Sequence, residues 1–368
     1  MSEPIRILHV LGGLNRGGAE TMVMNLYKNL DRSKIQFDFI IHTDKEKEYE
    51  DEIKKLGGRI YVFPRFVGTN YFVVRRCWSR FFKEHPEYKI LHSHVRSYAS
   101  VYLPIAKRHG VKTIIHSHST SNGKGVKSAI KRIMQYPLRY QADRFIGCSD
   151  ASGEWLFGKK IIKTDRYVTL QNAIDTERFC FNEITRREYR KMLNLEGKTV
   201  YAHVGRLHPA KNHAFLIELF ARIYKKNPNS VLLCVGDGEL RRDIEAQIMD
   251  NDISSAVVMM GSRGDVESIL SCADIFLFPS NWEGVPLTVV EAQASGLPCL
   301  VSDRVTEDVC VSELVVRLPI DQGFEIWEKA IDSLSVCRRD VTDKIAAAGY
   351  DVKKNAEWLE KYYLELIQ

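Results

Sequence analysis

Two glutamates, Glu283 and Glu291, flank seven residues in the run PSNWEGVPLTVVEAQASGLP, which spans residues 279–298. Pro286 suits the first turn of a helix, and the Ser-Gly pair and the proline that close the run suit its end. We therefore expect Glu283 in a loop and Glu291 on the helix that follows. On one continuous helix the two residues would be roughly 12 Å apart along the axis, too far for the paired carboxylates of a glycosidase.

The same run places backbone amides beside the two carboxylates. The N–H groups of Gly284 and Val285 precede a helix N-terminus, where partial positive charge favours phosphate groups. Carboxylates on either side can accept hydrogen bonds from hydroxyl groups. Such a site can hold a diphosphate that carries hydroxylated groups. Taken singly, each glutamate fits a solvated surface position better, and only the whole run favours a site.

A second run, VGRLHPAKNH, contains two cations five residues apart, Arg206 after a predicted strand and Lys211 at the start of the next helix. Open α/β sheets bind ligands at the carboxyl ends of their strands. Two fixed cations there can neutralise a leaving diphosphate through charge-assisted hydrogen bonds. No set of His, Asp and Glu has the sequence spacing of metal ligands, so we expect no metal ion. Arg206 and Lys211 can replace a divalent ion in stabilising a diphosphate.

Two series of short apolar runs must position these residues. The first begins with IRILHV and a glycine-rich turn, and the second extends from TVYAHVGRL to LPCLVSD. Helix-length stretches separate the runs, which predicts an α/β fold of two Rossmann-like, doubly wound parallel sheets. The first series ends and the second begins on either side of a predicted linker near residues 172–197. We predict domains at 1–172 and 173–351, with a closing helix at 352–368 that packs back on the first domain.

Composition excludes several protein classes. With 368 residues, 45% hydrophobic and 27% charged, the chain is long for one core and too apolar for disorder. No apolar run approaches the length of a membrane span, and the amino terminus lacks the pattern of a secretion signal. The eight cysteines occur singly, without the close pairs of zinc or redox sites. We expect small core residues and reduced thiols in a cytoplasmic protein.

Charge is unevenly distributed. Residues 1–172 carry 30 Lys and Arg against 16 Asp and Glu, a net +14, and the remainder carries −8. The basic half predicts an anionic partner, while the acidic half argues against nucleic acid. Segment 122–144 interleaves apolar residues with cations and can lie on an anionic membrane surface; its cations include Lys124, Lys127, Lys131, Arg132 and Arg139. An ordinary amphipathic helix with a solvated basic face explains the segment equally well.

Six runs follow one another in a fixed order: GGLNRGGAE, HSHS, NAID, VGRLHPAKN, VGDGEL and the E-x(7)-E run with its tail ASGLPCLVSD. Together they resemble the family 4 glycosyltransferases, retaining enzymes of the GT-B architecture, in which two Rossmann-like domains face each other across a cleft. The resemblance spans nearly the whole chain and is strongest to exopolysaccharide and capsular-polysaccharide transferases of the EpsF type. Two departures are Ala173 in NAID, where the family often has glycine, and a shorter part after Asp303.

The resemblance implies a nucleotide-sugar donor, with a UDP-hexose expected. Arg206 and Lys211 match the pair that grips the donor diphosphate, and Glu291 matches the carboxylate that holds the ribose. Glu283, with the backbone of Gly284, Val285, Pro286 and Leu287, matches the contact to the sugar hydroxyls and phosphate. Gly261 belongs to the stretch 260–263, which matches the loop that meets the base. Gly17 and Gly18 match the loop of the first domain that approaches the donor phosphate and the acceptor.

His118, in HSHS, matches the histidine near the transferred sugar, with His116 its nearest competitor. His92 and His94, in LHSH, are expected to serve packing or hydrogen bonding. The resemblance further implies an acceptor-binding first domain, a lipid-linked or saccharide acceptor, and a peripheral place on the inner face of the cell membrane. It implies front-face attack with retention, in which the departing diphosphate takes the acceptor's proton, and His118, Glu283, Arg206 and Lys211 as the catalytic set.

Two other functions stay open. A dinucleotide-binding oxidoreductase would use the first βα turn and Asp44, but the glycines of that turn do not form G-x-G-x-x-G. A two-domain sugar-binding protein without chemistry would leave Arg206, Lys211 and the two glutamates without a purpose. Release of free nucleotide diphosphate on addition of an acceptor distinguishes an enzyme from either.

Overall fold

The computed structural model describes residues 3–15, 17–43, 48–120 and 125–368. The chain forms two compact units, each with its own parallel sheet and its own buried core. The first unit contains the residues up to Ala173 together with Val352–Gln368, and the second contains Ile174–Asp351. The sequence position Asp44 lies outside the described residues.

The first unit is built on seven parallel strands, numbered along the chain: β1 (Ile5–Val10), β2 (Ile35–Ile41), β3 (Ile60–Val62), β4 (Ile90–Ser93), β5 (Lys112–Ser117), β6 (Arg144–Gly147) and β7 (Tyr167–Thr169). They lie in the order β3-β2-β1-β4-β5-β6-β7. The helices between them are α1 (Gly18–Asn29), α2 (Glu50–Lys55), α3 (Tyr71–Glu84), α4 (Ala99–Arg108), α5 (Val126–Gln135), α6 (Leu138–Gln141) and α7 (Asp150–Phe157).

The second unit repeats the theme with six parallel strands: β8 (Thr199–Val204), β9 (Ser230–Val235), β10 (Val257–Gly261), β11 (Ile275–Phe278), β12 (Cys299–Ser302) and β13 (Val315–Leu318). Their order is β10-β9-β8-β11-β12-β13. Its helices are α8 (Thr176–Phe179), α9 (Glu183–Met192), α10 (His213–Lys226), α11 (Arg241–Asp250), α12 (Val266–Cys272), α13 (Leu287–Ala294), α14 (Phe324–Ser333) and α15 (Thr342–Ala347).

The final helix, α16 (Val352–Ile367), belongs to the first unit. Its buried residues Ala356, Leu359 and Tyr363 join the same core cluster as Val23 and Leu26 of α1. The helix predicted at 352–368 is therefore present, and its apolar residues lie in this core. No helix among the described residues combines the length and apolar character needed to cross a membrane.

Both sheets are covered by helices on both faces, which explains their continuous apolar strands. Every residue of β2, IQFDFII, is buried, as parallel sheets require. The direction in which strands are added reverses between β1 and β4 in the first unit and between β8 and β11 in the second. Ligands of open α/β sheets bind beyond the carboxyl ends of the strands at such a reversal.

The predicted linker includes the charged stretch TRREYRKMLNLEGK, and the structure corrects this prediction for the first eight residues. TRREYRKM lies entirely within helix α9, and α9 packs on α12 of the second unit. Arg186 donates to the carbonyl oxygens of Ser271, Cys272 and Ala273 at 2.7–3.3 Å and pairs with Asp274 at 2.5 Å. These contacts satisfy carbonyl groups at the end of α12 that have no partner within the helix.

The eight cysteines are free, as the spacing predicts. Only three of them are buried: Cys234, Cys272 and Cys299. Burial raises the pKa of the Cys272 thiol to about 11, so this thiol is neutral near pH 7. The expectation of core residues is therefore wrong for Cys180 and Cys337, which are exposed.

Candidate functional site

Lys211 and Glu283 form an ion pair beyond the strand reversal of the second sheet. Lys211 ends the short turn Pro209–Lys211 after β8, and Glu283 lies in the loop between β11 and α13. Lys211 Nζ lies 2.8 Å from Glu283 Oε1, and the two side chains are only 16% and 12% exposed. The contact lacks hydrogen-bond alignment, so Glu283 Oε1 has no hydrogen-bond partner among the described residues. This oxygen can therefore accept a hydrogen bond from a hydroxyl group of a ligand.

Neighbouring groups hold Lys211 in place. Its Nζ lies 4.6 Å from the centroid of the Phe278 ring, a cation–π contact. Asn281 joins the two loops, because its backbone N–H donates to Ala210 O at 2.7 Å and its Nδ2 donates to Pro209 O at 3.0 Å. Sequence reasoning missed Phe278 and Asn281, although both lie within five residues of Glu283.

Two glycines let the strand ends of β8 and β9 approach. Gly236 has φ +136°, and a Cβ on it would lie 2.0 Å from the carbonyl oxygen of Gly205. A Cβ on Gly205 would lie 3.0 Å from Lys211 Cε. Gly236 is therefore required for the backbone path that carries Arg206 and Lys211, whereas a Cβ on Gly205 would press on the Lys211 side chain.

Arg206 is exposed and forms no ion pair with any described residue. It follows β8 directly and lies on the same loop as Lys211. An unpaired guanidinium keeps all its donors available for an anion, with a geometry that suits phosphate oxygens. This matches its predicted role without testing it.

Helix α13 begins where the sequence predicts. Pro286 occupies its N-cap position without a side-chain cap, and the helix ends at Ala294 before Gly296, which has φ +70°. The amides of Gly284 and Val285 donate to no group in the described part of the chain. This N-terminus therefore offers unpaired N–H groups to an anion.

Glu291 lies on α13 and is largely covered. Burial raises the pKa of its carboxyl group to about 7, the nearby Arg178 opposes this shift, and Glu267 adds to it. Arg178 is itself paired with Glu267 at 2.8 Å. A carboxyl group with this pKa changes its charge within the physiological range, which is a common property of functional sites.

The remaining candidates divide between the two units. Gly261 ends β10 with φ +67°. Gly17 and Gly18 belong to the first unit, where Gly17 caps α1 and Gly18 opens it. A Cβ on Gly17 would lie 2.3 Å from Glu20 Oε2, whereas Gly18 faces open space. His118 also belongs to the first unit.

Five histidines lie together beyond and along the strands β1, β4 and β5 of the first unit. They form what we call the imidazole cluster: His9, His92, His94, His116 and His118. They occupy alternate positions of neighbouring strands, which direct side chains to the same face. Sequence reasoning noted four of them and missed His9, although IRILHV places a histidine at the end of β1 as HSHS does for β5.

Hydrogen bonds join several members of the cluster. His9 Nδ1 and His94 Nε2 are 3.0 Å apart, and His94 Nδ1 and His118 Nε2 are 2.8 Å apart. His92 Nδ1 lies 2.5 Å from the hydroxyl group of Tyr363 on α16. The prediction of a hydrogen-bonding role for His92 and His94 is confirmed.

Burial lowers the pKa of every imidazole in the cluster, and for His118 to about 3. Ring nitrogens of His94, His116 and His118 lie within 4.8 Å of one another, a grouping that sequence spacing missed because the residues follow two different strands. Ring nitrogens of His9, His92 and His94 are grouped in the same way. Both groups include His94, whose two ring nitrogens already lie at hydrogen-bond distance, 3.0 and 2.8 Å, from His9 and His118. These contacts favour a packed, hydrogen-bonded cluster over a metal cage.

Comparison with known proteins identifies related sequences. Residues 16–178 match the domain family described as Glycosyltransferase Family 4, and residues 185–348 match Glycosyl transferases group 1. A putative glycosyltransferase EpsF of Bacillus subtilis (strain 168) is 33% identical, over 97% of this chain and 96% of that protein. An Escherichia coli UDP-Gal:alpha-D-GlcNAc-diphosphoundecaprenol alpha-1,3-galactosyltransferase is 26% identical, over 76% of each.

Solved structures share the fold. Anabaena HepE in complex with UDP-glucose has a TM-score of 0.72 at 16% identity, over 98% of this chain and 99% of that one. A glycosyltransferase from Rickettsia africae has a TM-score of 0.76 at 16% identity over the whole of both chains. The two parallel sheets are those of the GT-B fold. Because a relative with 33% identity matches along nearly the full length, the chain belongs to the family 4 glycosyltransferases.

Proposed function

We propose that the chain is a retaining, metal-independent glycosyltransferase of cell-surface polysaccharide synthesis. It moves a hexose from a UDP-sugar to a lipid-linked or saccharide acceptor. The observation that carries this proposal is the Lys211–Glu283 pair at 2.8 Å beside an uncapped helix N-terminus. The E. coli relative is named for a UDP-galactose donor and a diphosphoundecaprenol-linked acceptor, and HepE was crystallised with UDP-glucose; both names support the donor class.

In this proposal the second domain binds the donor. Arg206 and Lys211 neutralise the diphosphate, with the amides around Gly284 and Val285 and the backbone of Pro286 and Leu287 beside it. Glu291 accepts hydrogen bonds from the ribose, Glu283 accepts them from the sugar, and Gly261 lies in the loop that meets the base. As the sugar–phosphate bond breaks, negative charge grows on the diphosphate, and the two cations stabilise that state more than the ground state.

The first domain binds the acceptor and contributes Gly17, Gly18 and His118. A cavity of about 360 Å³ in this unit is lined by residues that include His42, Arg65 and Tyr98. The rings of Phe66 and Tyr98 are stacked with centroids 5.3 Å apart. Aromatic faces beside a guanidinium suit a saccharide that carries a phosphate.

A binding and turnover assay tests the proposed function. We expect UDP-hexoses to raise the temperature of unfolding more than NAD does, since a ligand that binds only the folded state stabilises it. Addition of a diphospholipid-linked saccharide is expected to release free UDP and give a product with the donor's anomeric configuration. Binding of the sugar nucleotide without release of UDP would favour a sugar-binding protein. Stronger stabilisation by NAD than by UDP-hexoses would favour an oxidoreductase. A product with the inverted anomeric configuration would show an inverting transferase.

The charge of Glu291 predicts a pH-dependent donor affinity. Ribose hydroxyls donate to the carboxylate, so the deprotonated form binds more tightly. With a pKa of about 7, affinity for a UDP-hexose is expected to rise as pH rises and to be about tenfold weaker at pH 6 than at pH 8. Isothermal titration with the sugar nucleotide is suitable, because its diphosphate does not titrate in this range. In Glu291→Gln the profile should be flat, and a slope that persists in this variant would contradict the assignment.

We also propose a cytoplasmic enzyme that binds the inner membrane surface through α5. In this helix Ile130 is 54% exposed and Ile133 is 74% exposed, and they lie next to the exposed cations Lys131 and Arg132. Apolar side chains between cations suit an anionic bilayer interface. Lys124 and the side chain of Lys127, which complete the predicted basic segment, lie outside the described residues.

Vesicle flotation tests the membrane proposal. We expect the protein to float with vesicles that contain anionic lipid and to remain unbound with neutral vesicles or at high salt. The double variant Ile130→Asn/Ile133→Asn should weaken flotation at least several-fold. Ile184→Asn is the matched control, because Ile184 is 70% exposed on α9 of the second unit. Equal flotation of both variants would contradict the role of α5.

A further inference from the structure

Three members of the imidazole cluster are joined in series by hydrogen bonds, and we call His9, His94 and His118 the histidine series. His94 lies in the middle. Its Nε2 faces His9 Nδ1 at 3.0 Å, and its Nδ1 faces His118 Nε2 at 2.8 Å. Both ring nitrogens of His94 are therefore engaged, and its ring cannot turn without breaking two hydrogen bonds.

The protons of the series are strongly constrained. Burial lowers the pKa of all three rings well below the usual value for histidine, so each is neutral near pH 7. A neutral imidazole has one N–H and one bare nitrogen. Each hydrogen bond needs an N–H on one side and a bare nitrogen on the other. Only two arrangements satisfy both bonds: all three rings carry the proton on Nδ1, or all three carry it on Nε2.

The two arrangements differ at the ends of the series, His9 Nε2 and His118 Nδ1. Neither atom has a hydrogen-bond partner among the described residues, and both are covered. His9 is 1% exposed and lies against the Phe37 ring, with centroids 4.0 Å apart. Each arrangement leaves one covered N–H group without an acceptor, which is costly unless a ligand meets it. With the protons on Nε2 this group belongs to His9, which lies within β1. With the protons on Nδ1 it belongs to His118, just after the end of β5, at the sheet edge where ligands of open α/β folds bind.

We propose that the series holds its three imidazoles in the Nδ1–H form, so that His94 and His9 are positioning residues that make His118 Nδ1 a hydrogen-bond donor to an oxygen of the sugar substrate. This rests on the proposed function, which places His118 near the transferred sugar. Since His118 Nδ1 is covered, a substrate oxygen reaches it after a local movement of side chains. A donor at this place agrees with a mechanism in which the departing diphosphate, and not the histidine, takes the acceptor's proton.

The surroundings of His94 support its fixed orientation. His92 is stacked on it, with centroids 4.5 Å apart and planes 23° apart. His92 is in turn held by its contact to the buried hydroxyl group of Tyr363 on the final helix. His94 is thus restrained at both ring nitrogens and on one ring face, which is the arrangement expected of a residue that orients another.

Nuclear magnetic resonance of the full chain labelled with ¹⁵N-histidine tests the proposal directly. Two-bond ¹⁵N–¹H correlations distinguish the two neutral forms of an imidazole. We expect His9, His94 and His118 all in the Nδ1–H form at pH 7. An Nε2–H form of His9 or His118 overturns the proposal, and so does a stoichiometric zinc ion that replaces the N–H signals of these rings. This measurement needs no variant and stays decisive if the transferase assignment fails.

Variants of His94 supply the second readout. His94→Phe is expected to lower kcat by about 10- to 100-fold, the range seen when a group that orients an active residue is lost. The donor KM and the affinity for a UDP-hexose should change less than twofold. His94→Gln should recover part of the rate, because its carboxamide can accept from His9 and donate to His118. His109→Phe, which removes a histidine outside the cluster, is the control. Full activity of His94→Phe, or equal losses in His94→Phe and His94→Gln, would overturn the role of His94.

Discussion

Replacement of Lys211 by alanine is expected to lower kcat for sugar transfer by about 100-fold or more, the loss seen when one preorganised group that stabilises developing charge is removed. The ammonium group is fixed between Glu283 and the Phe278 ring, so it needs no reorganisation as charge develops on the diphosphate. In water a lysine at the same distance would contribute far less, because solvent screens it. Single-turnover kinetics with a UDP-hexose measure the effect on the chemical step.

The control for this variant is Lys344→Ala. Lys344 also pairs with a glutamate of the second unit, Glu313, but both side chains are about half exposed. It should keep full activity, since exposed ion pairs contribute little. Thermal unfolding must be measured alongside, because Lys211→Ala leaves Glu283 without its partner. Unchanged turnover in Lys211→Ala would remove this residue from the proposed mechanism.

Gly236→Ala is expected to destabilise the second unit by about 3 kcal/mol or more and to abolish donor binding. Alanine is strained at φ +136°, and its Cβ would lie 2.0 Å from the Gly205 carbonyl oxygen. The atom that the Cβ would meet belongs to the backbone, so the clash cannot be relieved by a change of side-chain rotamer. The strand ends must separate, and this displaces the loop that carries Arg206 and Lys211. Calorimetric unfolding and titration with a UDP-hexose measure the two effects.

Gly264→Ala is the matched control for this prediction. Gly264 also belongs to the second unit, but its φ is not positive and a Cβ there would meet no atom within 4 Å. We expect unfolding and donor affinity to remain near the parent values. A Gly236→Ala protein as stable as this control would show that the β8 and β9 loops can relax without cost.

The sequence predicted the elements whose signals are local. Pro286 and the Ser-Gly pair after α13 predicted the limits of that helix, and the apolar spacing near the end of the chain predicted α16 (Val352–Ile367). The strand ends that carry the candidate residues could also be located, because glycines and polar residues follow each apolar run. These features depend on neighbours in the chain, so composition and periodicity suffice to find them.

What the sequence did not predict depends on contacts between distant segments. Helix α9 has few apolar residues and is held by arginines that bind the end of α12, so it resembled a linker. The Phe278 ring and Asn281 acquire their roles from Lys211 and Pro209, about seventy residues away. The pKa of Glu291 depends on burial, which its position on a short helix does not reveal. The histidine series needs the register of three strands, and a one-residue error would direct its side chains to the opposite face.

The return of α16 to the first unit has a consequence for how the protein is made. Ile174 and Asp351 form a parallel bridge, and Ile174 N donates to Tyr350 O at 2.9 Å. The second unit therefore begins and ends at one place, as an inserted domain does, and all of it is synthesised before α16. The first unit cannot acquire Tyr363, and with it the contact to His92, until the whole of the second unit has been synthesised. In a nascent chain the core of the first unit is therefore completed last, although its strands are synthesised first.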